Sequence, residues 1–403
     1  MTKWERPMLN TPFPPWPCFS DEEADAVRAV LKSNRVNYWT GDECRHFEQE
    51  FAAWADCTHG VAVANGTLAL ELALRALGIG PGDDVIVTPR SFIASVSCVL
   101  SVGARPVFAD VDRDSQNISA ATIADVLTPH TRAIICVHLA GWPCDMDPIM
   151  ELARERDLFV IEDCAQAHGA RYKGRSVGSI GHIGAWSFCQ DKIMTTGGEG
   201  GMATTNDPDL WSAMWSYKDH GKSWDAIQRN RSTSSFRWIH DSFGSNWRMM
   251  EMQAVIGRLQ LRRMPDWHAL RLTRAHRIWA AAGLLPGLRV PRVPEHSEHA
   301  AYKGYVFVEP EQLLPGWSRD RILLEIQARG VPCYTGSCSE IYLEKAFEGT
   351  GLRPAGHLPI ARELGETALM FLLHPTLSDT DIERTCLELA DVMHSATRRH
   401  ACA

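Results

Sequence analysis

From residue 60 onward the chain alternates short apolar runs with longer stretches of helical period. GVAVAN (60–65) reads as a strand, TLALELALRALG (67–78) as a helix closed by Gly78, and VIVT (85–88) as a strand after the turn PGDDV. A helix over 92–102, a strand at RPVFAD (105–110), a helix near 119–127, a strand at AIICVH (133–138), a helix over 146–156 and a strand at LFVIED (158–163) follow. These strands are apolar throughout instead of every second residue. That predicts a mostly parallel sheet covered on both faces, an α/β arrangement. Upstream, DEEADAVRAVLKS (21–33) has helical amphipathicity, acids in its first turn and Ser20 as N-cap, and a second helix is predicted over 42–55.

After about residue 180 the pattern changes. IGAWSF (183–188) and GMATT (201–205) read as strands flanking a Gly-rich loop, and a long helical stretch over about 249–283 is punctuated by Pro265. GYVFVEP (304–310) reads as a strand, and 319–329 and 379–396 as helices, which together suggest a smaller C-terminal α+β domain. The predicted division is 1–265, an arm and large domain, and 266–403, the small domain. No internal repeat or low-complexity tract is evident.

Composition narrows the function classes. Of 403 residues 45% are hydrophobic and 22% charged, and the net charge of −8 is spread without a basic block, which argues against nucleic acid as a partner. The Pro-rich start, Met1 to Phe19, carries Lys3, Glu5 and Arg6 and has no apolar stretch resembling a signal peptide. No run approaches the ~18 apolar residues that span a bilayer. The chain therefore reads as cytoplasmic with no membrane partner. Twelve cysteines from Cys18 to Cys402 form no CxxC pair, and several, such as Cys136, sit in strand-like runs. They read as buried free thiols, with Cys333 and Cys338 the closest pair on a predicted loop, and no metal site is expected.

There is no GxGxxG after a strand, no GxxxxGK[ST], no GxSxG and no HExxH. Four local features remain. Asn65-Gly66-Thr67 joins a strand to a helix, which taken alone suits a plain N-cap at Thr67 before it suits a phosphate at a helix N-terminus. Asp163 ends an apolar strand, where α/β sheets place ligands; it needs a cationic partner there, and it would also serve as a helix cap. Lys192 follows the strand predicted over 183–188 and precedes a loop with Gly197, Gly198, Gly200 and Gly201. A partly buried lysine amine can form an imine, and glycines let backbone approach a ligand closely; the alternative is a surface charge. Asn246 and Arg248 precede the long helix and fit a ligand contact or a cap.

Taken together, and in order, these segments resemble the DegT/DnrJ/EryC1/StrS family of sugar aminotransferases. The resemblance runs from about 20 to 395 through GTLALELALRALGIGPGDDVIV, SFIAS, GARPVFADVD, HLAGWPCDMD, IEDCAQAHGARYKGRSVGSIG, AWSFCQDKIMTTGGEGGMATT, KDHG and GSNWRMMEMQAVIGRLQL. It implies fold type I of the pyridoxal 5′-phosphate (PLP) enzymes, like aspartate aminotransferase, with a mostly parallel seven-stranded sheet in the large domain. It further implies that Lys192 carries PLP as a Schiff base and moves the proton, and that Asp163 pairs with the pyridine nitrogen. Gln166 would sit against the ring, Phe92 would stack on it, and Gly66, Thr67 and Ser187 would hold the phosphate. Asn246 would reach the phosphate of a neighbouring subunit, making the active unit a homodimer with shared sites.

The implied reaction moves an amino group from glutamate or glutamine to a keto sugar, with a nucleotide-linked sugar favoured over a ketocyclitol. Relatives that became sugar dehydratases carry His at the Schiff-base position, so Lys192 favours transamination over that dehydratase or lyase chemistry. The chain departs from the family at Asn65, in GSNWR where GYNYR is usual, and in a longer stretch 222–243 with Trp224 and Trp238 that would shape the substrate mouth or be an inert insertion. Lys218, His220, Arg229, Arg231, Arg237, Arg248 and the segment 331–342 are candidates for substrate contacts.

Overall fold

The computed structural model describes residues 12–229 and 238–397. Helix α1, Asp21–Lys32, begins as its sequence predicts: the Ser20 side chain accepts from the Glu23 N–H, and the Glu23 carboxylate accepts from the Ser20 N–H at 2.7 Å. Helix α2 spans Glu43–Trp54. The alternating part of the chain then gives strands β1 (His59–Val63), β2 (Asp84–Val87), β3 (Arg105–Phe108), β4 (Thr131–Val137) and β5 (Phe159–Asp163). Helices α3 (Gly66–Ala76) and α4 (Ala94–Ser101) follow β1 and β2. Strands β6 (Ile183–Ser187) and β7 (Gly201–Thr205) complete a seven-stranded sheet in the order β1-β7-β6-β5-β4-β2-β3. β7 runs antiparallel to both neighbours, and the remaining pairs are parallel.

Successive residues of the central strands feed different cores. Ala133, Ile135 and Val137 of β4 join the cluster with α2 and α3, whereas Ile134 and Cys136 join the one containing Met146 and Ile149. Period-2 alternation with both faces buried is why these strands read as continuous apolar runs.

A helix of 32 residues, Glu251–Ala282, carries the chain onward. Its Met264 packs in the first core, while Ala275, Ile278, Trp279 and Ala282 pack in a third core under the C-terminal part. Pro265 lies inside it without ending it. A proline costs about 3 kcal/mol in a helix interior, and burial of the helix in two cores offsets that. The C-terminal part holds β8 (Leu288–Arg289), β9 (Lys303–Val308), β10 (Cys333–Tyr334) and β11 (Ala368–Leu372), an antiparallel sheet in the order β8-β9-β11-β10. Helices Arg319–Ala328 and Asp379–Thr397 accompany it. The fold is α/β, a mostly parallel seven-stranded sheet with a smaller α+β part. Among the described residues no helix is long and apolar enough to cross a membrane.

Candidate active site

A cavity of about 1180 Å³ opens at the C-terminal ends of β4, β5 and β6 and is closed on the far side by the small sheet. Seven residues singled out from sequence line it: Gly66, Thr67, Phe92, Asp163, Gln166, Ser187 and Lys192. Parallel strands put their loops and following helix N-termini at one edge, so residues far apart in sequence meet there.

Asp163 ends β5 and is buried. Ser95 of α4 donates its hydroxyl to Asp163 Oδ2 at 2.7 Å, and the Ala165 N–H donates to Oδ1 at 3.1 Å. Both donors are neutral, and among the described residues no cation forms an ion pair with this carboxylate. A buried carboxylate without a cation is costly unless something in the cavity supplies one. Gln166 Oε1 accepts from the Ala140 N–H at 2.8 Å, which leaves its Nε2 as the group available to the cavity.

The helix at the phosphate turn begins two residues earlier than the alternative cap at Thr67 requires. Asn65 is the N-cap, its side chain accepting from the Leu68 N–H at 3.0 Å, and the exposed Thr67 lies within the first turn. Gly66 is required by packing: a Cβ there would lie 2.5 Å from Cβ of Ser187. The glycines after Lys192 also serve packing. A Cβ on Gly201 would lie 2.3 Å from the Asn65 carbonyl oxygen, and Gly197 and Gly198 have φ of 83° and 117°. The close approach at Gly201 is to the Asn65-Gly66 turn, and none of the four glycines lines the cavity.

Lys192 is half-buried on the loop after β6. Its carbonyl accepts from the Trp16 indole N–H at 2.8 Å, and its Nζ lies 5.4 Å from the centre of the Tyr302 ring. The Tyr302 hydroxyl donates to Asp191, the residue before Lys192. Burial raises the Asp191 pKa, but the Lys192 charge and the Tyr302 hydroxyl outweigh it and hold the carboxyl below its usual value. Ser95, Asp191, Tyr302, Lys303 and Trp16 were not singled out from sequence. Ser95 lies inside SFIAS, but nothing local marks it; the other contacts join the site to the N-terminal arm and the small sheet.

Asn246 does not line this cavity; it pairs with Asp219 beside the end of β1. The charged candidates near the mouth are placed elsewhere too. Lys218 is fully buried and pairs with Glu48 at 2.8 Å, so it reaches no substrate. Arg248 pairs with Asp219 at 2.6 Å, and His220 and Arg229 are not among the lining residues. Arg231 and Arg237 lie outside the described residues. Trp224 packs on Trp211 and Trp215, and neither Trp224 nor the exposed Trp238 lines the cavity. The segment 331–342 does contribute, through Tyr334, Gly336, Ser337, Cys338 and Ile341. Cys333 and Cys338 are both free; Cys333 is buried and Cys338 exposed.

The site fits PLP on three counts. A buried carboxylate lacking a cation suits a protonated pyridine nitrogen. The glycine-begun helix beside Ser187 suits a phosphate. The half-buried Lys192 amine suits a carbonyl carbon.

Comparison with known proteins agrees. An aminotransferase structure from Psychrobacter cryohalolentis superposes with a TM-score of 0.94 at 60% identity, covering 96% of this chain and all of that one. The UDP-N-acetyl-3-dehydro-alpha-D-glucosamine 3-aminotransferase of Acidithiobacillus ferrooxidans is 37% identical over 93% of this chain and 94% of its own length. The dTDP-3-amino-3,4,6-trideoxy-alpha-D-glucose transaminase of Streptomyces venezuelae is 35% identical over 87% of both. Residues 17–390 match the model of the DegT/DnrJ/EryC1/StrS aminotransferase family. The chain belongs to that family and is a PLP-dependent aminotransferase.

Proposed function

We propose that this aminotransferase moves an amino group from glutamate or glutamine to the keto carbon of a sugar that carries a nucleoside diphosphate. The observation behind the reading is one cavity in which the amine of Lys192 faces the same space as the buried, cation-lacking carboxylate of Asp163. The sugar and its nucleotide are inferred from relatives whose names specify dTDP- and UDP-linked sugars.

PLP, when bound, supplies an electron-withdrawing ring that takes up the charge left when a proton leaves the donor's Cα. Lys192 would hold the cofactor through its Nζ, and that amine would take the Cα proton and later deliver one to the acceptor carbon. Asp163 would keep the pyridine nitrogen protonated, itself held in place by Ser95. Gly66, Thr67 and Ser187 would bind the phosphate, Phe92 would cover the ring, and Gln166 would meet its edge. Asn246 would serve the cavity of a second copy in a homodimer; its position away from its own chain's cavity supports that role. Both half-reactions use one site, so ping-pong kinetics are expected.

The test is the visible spectrum of the PLP-loaded protein with and without glutamate, beside Lys192→Ala. A band near ~420 nm that moves toward ~330 nm with glutamate is expected in the wild type only. A wild type without the band would overturn the site assignment. A band unmoved by both glutamate and glutamine would overturn the donor.

A further inference from the structure

The small sheet forms the far wall of the cavity, and its alternation decides what that wall presents. Lys303 and Tyr305 lie on one face of β9, opposite Leu372 and Met370 of β11, and Tyr334 of β10 lies opposite Met370. All five line the cavity. Four are apolar or aromatic, and one carries a charge.

The Lys303 ammonium makes no hydrogen bond or ion pair among the described residues. It sits 4.7 Å from the centre of the Tyr302 ring. The charged groups acting on it are Asp191, Lys192 and Arg271. Asp191 attracts it but also accepts from Tyr302 and lies beside Lys192, while the other two are cations. Burial, opposed by Asp191 and helped by the two cations, draws the Lys303 pKa down to about 8. Lys303 and Lys192 flank the same Tyr302 ring, so a small molecule engaged at Lys192 is within reach of Lys303.

We propose that Lys303 is a substrate-recognition residue that binds a carboxylate in this cavity. The inference rests on the aminotransferase reading. The carboxylate belongs either to the amino donor or to an acid substituent on the keto sugar. In both cases the ligand supplies the negative charge that the wall lacks, and the desolvated site strengthens the contact.

The test compares PLP-loaded wild type with Lys303→Gln, Lys303→Met and Lys303→Arg. Two quantities are read: the glutamate concentration that half-converts the ~420 nm band, and calorimetric binding of UDP-glucuronate against UDP-glucose. The neutral variants should keep the band. They should weaken one of the two carboxylate readings by about tenfold or more, as the loss of one hydrogen bond to a charged group predicts. Lys303→Arg should restore most of it. A rise in half-saturating glutamate assigns the donor's acid; loss of the preference for the uronate assigns the sugar's. An intact band with both readings within twofold of wild type overturns the role of Lys303 and leaves the aminotransferase reading standing. A wild type without the band overturns both.

Discussion

The Trp16 indole has one donor, and that donor meets the carbonyl of Lys192. The ring is itself wedged between Trp267, at 5.2 Å edge-on, and His374, stacked at 6.0 Å, with the Arg271 guanidinium 5.3 Å from its centre. Trp16→Phe keeps an aromatic ring in that pile but removes the N–H together with the pyrrole part of the indole. It should lower stability by about 1–3 kcal/mol, one hydrogen bond plus the packing lost with the smaller ring, read as a shift in the urea midpoint. A midpoint unchanged from wild type would show that the arm does not hold the Lys192 loop. At this scale the sequence was informative where a residue and its local setting coincide. Lys192 and Asp163 stand next to strand ends that apolar runs mark out. Trp16, Ser95 and Tyr302 gain their significance from partners 176, 68 and 111 positions away, and no local pattern encodes such contacts. The cation candidates hide their partners for a related reason: Lys218 and Arg248 look like free charges in a loop, but buried acids elsewhere in the chain pair with them.

Helix α3, β6 and β7 meet so closely that two glycines decide the shape of the phosphate turn. A methyl group on Gly66 would sit 2.5 Å from Cβ of Ser187 and 3.0 Å from its Oγ, so Ser187 or the helix start must move. Gly66→Ala should weaken PLP binding by about five- to hundredfold, taking a packing conflict of about 1–3 kcal/mol, with helix content unchanged by circular dichroism. Gly257→Ala is the matched control. Its methyl would sit 2.6 Å from Phe47 in the core, and Gly257 does not line the cavity. It should lower the urea midpoint while leaving the PLP dissociation constant within about twofold, if its conflict stays in the core. Equal effects of both variants on PLP binding would mean that the turn is not specifically shaped by Gly66. Parallel strands and capped helices were legible in sequence because their signals are local. The purpose of the glycines was not, because a glycine that admits a neighbouring strand looks the same in sequence as one that admits a ligand. The two-residue strands β8 and β10 were also missed; they are too short to show a period, and their pairing partners define them.

Among the described residues three buried histidines are held neutral. His168 lies among Phe51, Trp186 and Phe188. Neither of its ring nitrogens makes a hydrogen bond of good geometry, although the Ser187 backbone lies near enough to favour the proton slightly. His299 accepts from the Ala301 N–H at its Nδ1, and His374 contacts the Thr376 hydroxyl. Burial, aided by nearby cations or histidines, lowers each from the ordinary value of 6.5 to about 3. The unfolded chain takes up these protons below pH 6.5 and the folded chain does not. Their contribution to stability is therefore complete above pH 6.5 and lost as pH falls toward 3, by about 1.4 kcal/mol per pH unit for each histidine at full slope. Acids enter later: Glu162 is held below 4.5, because His138 and the Gly181 and Gly178 N–H groups outweigh its burial. The window from 6.5 to 4.5 thus belongs to histidines, with His182 shifted in the same direction. Urea midpoints measured across that window should fall steadily with pH. His168→Leu should fall less steeply, because an apolar side chain in that aromatic pocket has no proton to gain on unfolding. The difference between the two slopes isolates His168, since both proteins share every other titrating group. Parallel slopes would mean that the His168 ring is already charged, or already hydrated, in the folded protein.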